Sequence, residues 1–470
     1  MPQSGALPKS NRVLISDRDF GSIGRLLGLI AVLAFALGVA VKLSWLHRTV
    51  DLKGNQAAWD AYYYHVPQIN EFITHGFRPD YTNFIAMTPG LHLLYANIAR
   101  GFGITSFAYD SGLLFAIHSL WMVAYLALNM FIIRKVYERN ATGLIIVLPL
   151  LASAYPIYSW VWTTTDLPAT VLYLIAIAIE FRTWRETNRL IVYTALGAVG
   201  VLLRQHYGFL AAVPAGILVA NAIVHRTPLD LRRLVIYLLP VLPAIAILGY
   251  FVSIWHGLVP PDQAYHFAPF SEPVSLAHVL GFTGLLGFPF AISLWRLLTQ
   301  SEVPPRQNPS AHPLVGDNRT AIRILVAAMV CGLVAVVTLP LNPSIEAGRY
   351  GSMLWTIETK LPSQLLRDAY LWGAISFGTA IWMAVATLCW RQREAIPAVV
   401  LFTMYVGTLL IQEFCFQRYV EEPILLTLAV FIVWQARLPK AETMIWGVCF
   451  GGYMLLGWIK LFQGFGGFGP

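Results

Sequence analysis

Charged residues are scarce in this chain: only 12% of its 470 residues are Asp, Glu, Lys or Arg, whereas 57% are hydrophobic. Soluble globular proteins carry about 25% charged residues, so the shortage excludes a soluble enzyme and a disordered protein. Cysteine is also rare, with four in the whole chain and no CxxC pair. This excludes a secreted disulfide framework and argues against a zinc site.

A concentrated basic surface is the second feature that the sequence lacks. The formal net charge is +8, but the positive residues are scattered between apolar runs and form no patch. A nucleic-acid partner needs such a patch, so nucleic acid is excluded as a partner.

Long apolar runs dominate what is present. They cover residues 24–46, 111–133, 141–160, 167–182, 190–203, 207–224, 233–255, 278–298, 321–341, 369–390, 395–412, 422–436 and 441–462. In a bilayer an open chain can satisfy its backbone hydrogen bonds only as helices. The sequence therefore predicts an all-α integral membrane protein with a bundle of about 13 transmembrane helices.

The charges predict how this bundle is oriented. With the N-terminus in the cytoplasm, roughly two thirds of the 32 Lys and Arg residues fall on the cytoplasmic side, as the positive-inside rule requires. The predicted organisation is a cytoplasmic tail over 1–23, a first transmembrane helix over 24–46, an outer loop over 47–110, and a multi-span bundle over 111–470. The outer face is either a bacterial periplasm or the lumen of the endoplasmic reticulum. We favour the bacterial inner membrane.

The first outer loop carries the first group of candidate catalytic residues. Segments 67–73 and 91–99 have the apolar spacing of short helices on the membrane surface. Asp60 and Asp80 lie near the two ends of the first of these helices, where both could face one cavity. Asp60 follows Trp59 and precedes three tyrosines, which would hold its carboxylate at headgroup level, partly desolvated. The alternative is a loop with two solvated carboxylates.

Two further charged residues fall at outer helix ends. Asp166 follows three threonines between two apolar runs, and it is a candidate site residue, a helix cap, or both. Arg204 breaks two apolar stretches, where a charge usually pairs with a ligand or a carboxylate. Its planar fork suits a phosphate group, with His206 and Arg418 as helpers. The alternative for Arg204 is snorkelling to the interface.

Several short motifs, in this order, resemble a known family. They are His65-Val66-Pro67-Gln68, Thr88-Pro89-Gly90-Leu91, Thr165-Asp166, Arg204-Gln205, the loop 262–266, 312–319 and Glu413-Phe414 with Arg418-Tyr419. The chain resembles the dolichyl-phosphate-glucose-dependent alpha-1,2-glucosyltransferases, the terminal glucosyltransferases of lipid-linked oligosaccharide assembly, in the GT-C superfamily. It is a divergent relative, because Ala61 and Tyr62 stand where the family usually has an Asp-Glu pair.

The resemblance implies a GT-C-type bundle and a hexosyltransferase that acts with inversion. The donor would be a polyprenyl- or dolichyl-phosphate sugar, probably glucose by the resemblance, and the acceptor a lipid-linked glycan or another group at the outer face. The candidate base is Asp60, Asp80 or Asp166. The candidate substrate-binding residues are Tyr64, His65, Gln68, Gln205, His266 and Glu413. No metal ligands are assigned, and the need for a divalent cation stays open.

Two other functions fit the same sequence. Another GT-C enzyme, which transfers mannose or an aminosugar to protein or lipid, would share the carboxylate in the first loop. A transporter or lipid flippase would instead place its ionisable residues near mid-span, beside broken helices. The acidic residues here concentrate in outer loops and at outer helix ends, which favours an enzyme.

Overall fold

The computed structural model describes part of the chain, and every regular element in that part is a helix. The described residues are 35–36, 38–39, 60–78, 85–108, 111–139, 154–181, 184–266, 273–299, 318–339, 341, 353–389, 395–410, 417–435, 441–442, 444–449, 451–452 and 455. The all-α fold class predicted from the sequence is thereby confirmed for these residues.

The elements follow one another with short connections. They are a π-helix Ala61–His65, α1 Val66–His75, α2 Gly90–Gly101, α3 Gly112–Arg139, α4 Ala154–Val161, α5 Asp166–Glu180, α6 Glu186–Leu203, a 3₁₀-helix Gln205–Ala212, α7 Val213–His225, α8 Leu231–Leu238, α9 Val241–Trp255, a 3₁₀-helix Pro261–His266, α10 Val274–Leu286, α11 Phe290–Thr299, α12 Asn318–Thr338, α13 Met353–Glu358, α14 Gln364–Cys389, α15 Ile396–Leu409 and α16 Gln417–Gln435.

Four of these helical segments are long and apolar enough to cross a membrane, or up to six if each of two bent pairs counts as one span. The four are Gly112–Lys135, Gln205–His225, Asn318–Thr338 and Gln364–Cys389. The chain is therefore a multi-pass membrane protein. The predicted total of about 13 spans stays a prediction, because the runs 24–46, 141–160 and 441–462 lie wholly or mostly outside the described residues.

Two runs predicted as continuous helices are broken, which corrects the sequence analysis. The run 233–255 is divided between α8 and α9, which meet at 47°, and the run 278–298 between α10 and α11, which meet at 91°. Each break contains a proline, Pro240 in the first and Pro289 in the second. Proline removes a backbone donor and clashes with the preceding turn, so an apolar run alone does not guarantee a straight helix.

The two short helices predicted in the first outer loop are present as α1 and α2. α1 buries Val66, Ile69 and Phe72 in the core that it shares with α2. Asn70 anchors the far end of the loop: its amide nitrogen donates to the Phe107 carbonyl at 2.8 Å, and its amide oxygen accepts from the Phe107 N–H at 2.7 Å. These contacts fix the loop as a packed layer.

Glycines allow the closest helix crossing in the bundle. Gly284 of α10 and Gly378 of α14 face each other's helices, and a Cβ at Gly378 would collide with the Leu280 carbonyl. Small residues let helix backbones approach in membranes, where packing replaces the hydrophobic effect as the driving force. This crossing joins the α10–α11 unit to the long helix α14.

Candidate functional site

Four separate segments of the chain meet at one end of the α5–α6 helical hairpin. They are the start of α5, the end of α6, the segment 86–88 of the first outer loop, and Leu258 in the loop after α9. The sequence analysis assigned all four to the outer face. Their contact in the structure is consistent with that assignment.

An ion pair between Asp166 and Arg204 lies at the centre of this meeting point. The Arg204 Nη1 to Asp166 Oδ1 distance is 2.9 Å, and the two side chains are only 9% and 12% exposed. Arg204 Nε also donates to the Thr165 hydroxyl at 3.0 Å. Arg204 leaves α6 in an extended conformation, with φ −156° and ψ 124°. The guanidinium thereby reaches the first turn of α5.

The connection between α4 and α5 holds Asp166 from the other side. Thr164 donates to Asp166 Oδ2 at 3.2 Å, which leaves Ser159 to donate to Thr164 at 2.6 Å. The Ser159 hydroxyl in turn accepts from the Leu167 N–H at 2.8 Å, and so satisfies a free donor at the start of α5. Thr163 adopts φ 56°, a strained conformation for a β-branched residue, at the sharp turn that this network requires.

The side-chain amide of Gln205 connects two outer loops. Its nitrogen donates to the Ala86 carbonyl at 3.1 Å and to the Leu258 carbonyl at 3.0 Å. Beside it, the Thr88 hydroxyl donates to the Val201 carbonyl. The first outer loop is therefore docked directly on the end of α6. Gln205 was predicted to bind substrate, and in the structure its amide nitrogen is used for this docking.

Asp60 lies immediately before the π-helix and is half-buried. The next two tyrosines are exposed: Tyr62 has 39% and Tyr63 has 41% of its surface accessible, and their ring centroids are 4.8 Å apart. Tyr64 is partly buried against the main core. A carboxylate followed by two accessible aromatic rings is a suitable surface for a sugar, since sugar faces stack on aromatic rings.

His65 and Gln68, both predicted to bind substrate, are buried in the first outer loop. His65 Nδ1 lies 2.9 Å from Nε2 of His92, a residue that the sequence analysis did not single out. Burial, and to a smaller degree His65, lowers the pKa of His92 well below its usual value. Gln68 is fully buried, and its amide atoms have no hydrogen-bond partner in the described part of the chain.

The remaining predicted residues divide into two groups. The His206 ring lies among aromatic rings, 4.9 Å from Tyr207 and 6.1 Å from Tyr405 between centroids. Asp80 and Glu413 lie outside the described residues. Arg418 is in α16 and His266 in the second 3₁₀-helix, but their side chains are outside the described part of the structure. Their predicted roles stay predictions.

Sequence reasoning missed one buried acid, Glu358, at the end of the short helix α13. Its side chain is fully buried, and neither carboxylate oxygen has a hydrogen-bond partner among the described residues. Burial raises the pKa of Glu358, and the nearby Arg367 opposes the shift. No local pattern marks this residue, because its burial depends on helices that are distant in sequence.

The described residues contain no group of three or more His, Cys, Asp or Glu side chains placed to hold a metal ion. Comparison with family models, with curated proteins and with solved structures finds no match to this chain. The family resemblance therefore rests on the short motifs alone, and the functional argument rests on the geometry of the site.

Proposed function

We propose that this chain is a membrane glycosyltransferase. It transfers a hexose from a polyprenyl-phosphate sugar to an acceptor hydroxyl at the outer face. The observation that supports this most strongly is the docking of the first outer loop onto the end of the α5–α6 hairpin, beside the Asp166–Arg204 pair. This arrangement gathers carboxylates, a guanidinium and accessible aromatic rings at one end of the bundle.

Arg204 is proposed to recognise the donor phosphate. Its guanidinium is held by Asp166 and Thr165 before any ligand arrives. A preorganised cation stabilises charge that develops on a leaving group without reorganisation during the reaction. Asp166 is then a positioning residue, because its carboxylate is bound to Arg204 and Thr164.

Asp60 is proposed as the base. Its carboxylate accepts the proton of the acceptor hydroxyl, while the acceptor oxygen forms a bond to the anomeric carbon of the sugar. The bond between that carbon and the phosphate oxygen breaks, and polyprenyl phosphate leaves with the electron pair. One such displacement inverts the anomeric centre. Tyr62 and Tyr63 supply stacking surfaces for the sugars.

The proposal is tested by sugar transfer from purified polyprenyl-phosphate donors carrying glucose, mannose or an aminosugar. Asp60→Asn preserves size and hydrogen bonding but removes the base, so transfer should fall by about 10²–10⁴-fold. Asp262→Asn, at an exposed carboxylate beside Leu258, is the matched control and should leave the rate unchanged. No transfer from any donor by the unmodified protein would contradict the proposal. Preference for mannose or an aminosugar would support the other GT-C reading.

The two broken helices support a second candidate function, a transporter or lipid flippase. Discontinuous helices in transporters expose backbone groups that bind substrate near the middle of the membrane. The α10–α11 pair, bent by 91°, has this form. Movement of a polyprenyl-phosphate sugar across vesicles containing the protein, without sugar transfer, would favour this candidate.

A further inference from the structure

A basic cavity lies at the other end of the α5–α6 hairpin. Its volume is about 790 Å³, and its lining includes Arg134, Lys135, Arg185, Asn188, Phe181 and Trp184. α5 contains 15 residues, and a helix rises 1.5 Å per residue, so this cavity lies roughly 22 Å along the helix axis from Asp166. It is a separate feature from the candidate site.

The charge of the cavity is positive. The described lining residues include three cations and no carboxylate. The two acidic residues on the neighbouring helix ends contact other groups: Glu180 lies 3.1 Å from Arg189, and Glu186 lies 2.9 Å from Arg233. Those carboxylates are thus engaged by cations that do not line the cavity.

The backbone at the cavity also favours an anion. α6 begins at Glu186, and its N-cap residue Arg185 provides no side-chain hydrogen bond to the first turn. The first N–H groups of a helix lack partners within the helix and carry the positive end of its dipole. Such an end, combined with a cavity and basic side chains, suits a phosphate group.

The aromatic residues favour a lipid as the source of that phosphate. Trp184 is 38% exposed at the cavity. Tryptophan is enriched at headgroup level in membrane proteins, where its ring contacts both apolar and polar groups. Phe181, at the end of α5, provides an apolar surface for the start of an acyl chain.

We propose that this cavity binds the phosphate headgroup of an anionic phospholipid in the leaflet opposite the candidate site. Basic pockets between transmembrane helices on the cytoplasmic side bind such headgroups in other membrane proteins. The proposal does not depend on the transfer reaction, and it assigns a role to basic residues that the candidate site does not use.

The test measures lipid retention by the full chain in detergent, using native mass spectrometry. The probes are phosphatidylglycerol and phosphatidylcholine with identical acyl chains, with glycerol phosphate as a soluble probe. The unmodified protein should retain phosphatidylglycerol selectively. Arg134→Gln/Arg185→Gln should weaken its binding by roughly 10- to 30-fold, since each basic side chain contributes about a factor of five at a membrane surface.

Arg232→Gln/Arg323→Gln is the matched control, because both residues are exposed and neither lines the cavity. Lys135→Gln serves as a second probe of the cavity if the double variant is poorly folded. Equal loss of binding in the control pair would overturn the proposal, because the effect would then be general electrostatic attraction. Equal retention of the two lipids, or equally tight binding of glycerol phosphate, would also overturn it.

Discussion

Replacement of the Asp166–Arg204 pair by apolar residues separates a structural role from a functional one. We expect Arg204→Met and Asp166→Leu, each alone, to lower the free energy of unfolding by about 3 kcal/mol. This is the lower end of the range for removing one partner of a buried pair. The lower end applies because the side chains are 9% and 12% exposed, so water partly screens the charge left behind.

The double variant Arg204→Met/Asp166→Leu leaves no uncompensated charge. Replacing both partners of a buried pair by well-packed apolar groups is often neutral or stabilising. We therefore expect the double variant to recover most of the stability that each single variant loses. If Arg204 binds the donor phosphate, the same double variant is stable but inactive.

The measurements are denaturant unfolding in detergent and sugar transfer from a polyprenyl-phosphate donor. Arg204→Lys adds a graded test: it retains the positive charge near Asp166 but loses the hydrogen bond from Nε to Thr165, which costs about 1 kcal/mol. A double variant that is both stable and fully active would refute the functional role of the pair. Single variants as stable as the parent protein would refute the argument from burial.

Three further predictions concern other parts of the chain. Gly378→Ala should lower the melting temperature because the new Cβ meets the Leu280 carbonyl, whereas Gly373→Ala on the same helix, with open space around it, should raise it slightly. Because burial lowers the pKa of His92, its unfolded form gains a proton that its folded form resists, so stability should fall as pH drops below 6.5, by at most about 1.4 kcal/mol per pH unit; unfolding curves of His92→Gln should show a weaker dependence. Gln205→Ala removes the donor to both outer loops and should increase hydrogen exchange at residues 86–88 without unfolding the bundle, and unchanged exchange would contradict its docking role.

The sequence predicted local structure well and tertiary partners only in part. The helices α1 and α2 were predictable because their apolar spacing has the helical period. An acidic partner for Arg204 was among the expectations, since an arginine at that depth requires one. Its identity as Asp166 was not, because a pair between residues 38 positions apart depends on how α5 and α6 are aligned.

Other features had weaker signals in the sequence. Pro240 and Pro289 marked the two helix breaks, but the hydrophobicity of their surroundings obscured them. The contribution of Ser159 to the start of α5 has no signature, since it comes from the preceding helix and bypasses the usual capping position. The burial of Glu358 is equally non-local.

The ion pairs at both ends of the α5–α6 hairpin restrict how this region can move. Asp166–Arg204 joins the helices at one end and Glu180–Arg189 at the other. A slide of one helix past its neighbour by a single turn, about 5.4 Å, would break both pairs together. The hairpin is therefore locked in register, like a ruler fixed at two marks. Any rearrangement that admits a bulky lipid-linked substrate has to take place around this ruler, and the bends at Pro240 and Pro289 are the places where the bundle can yield.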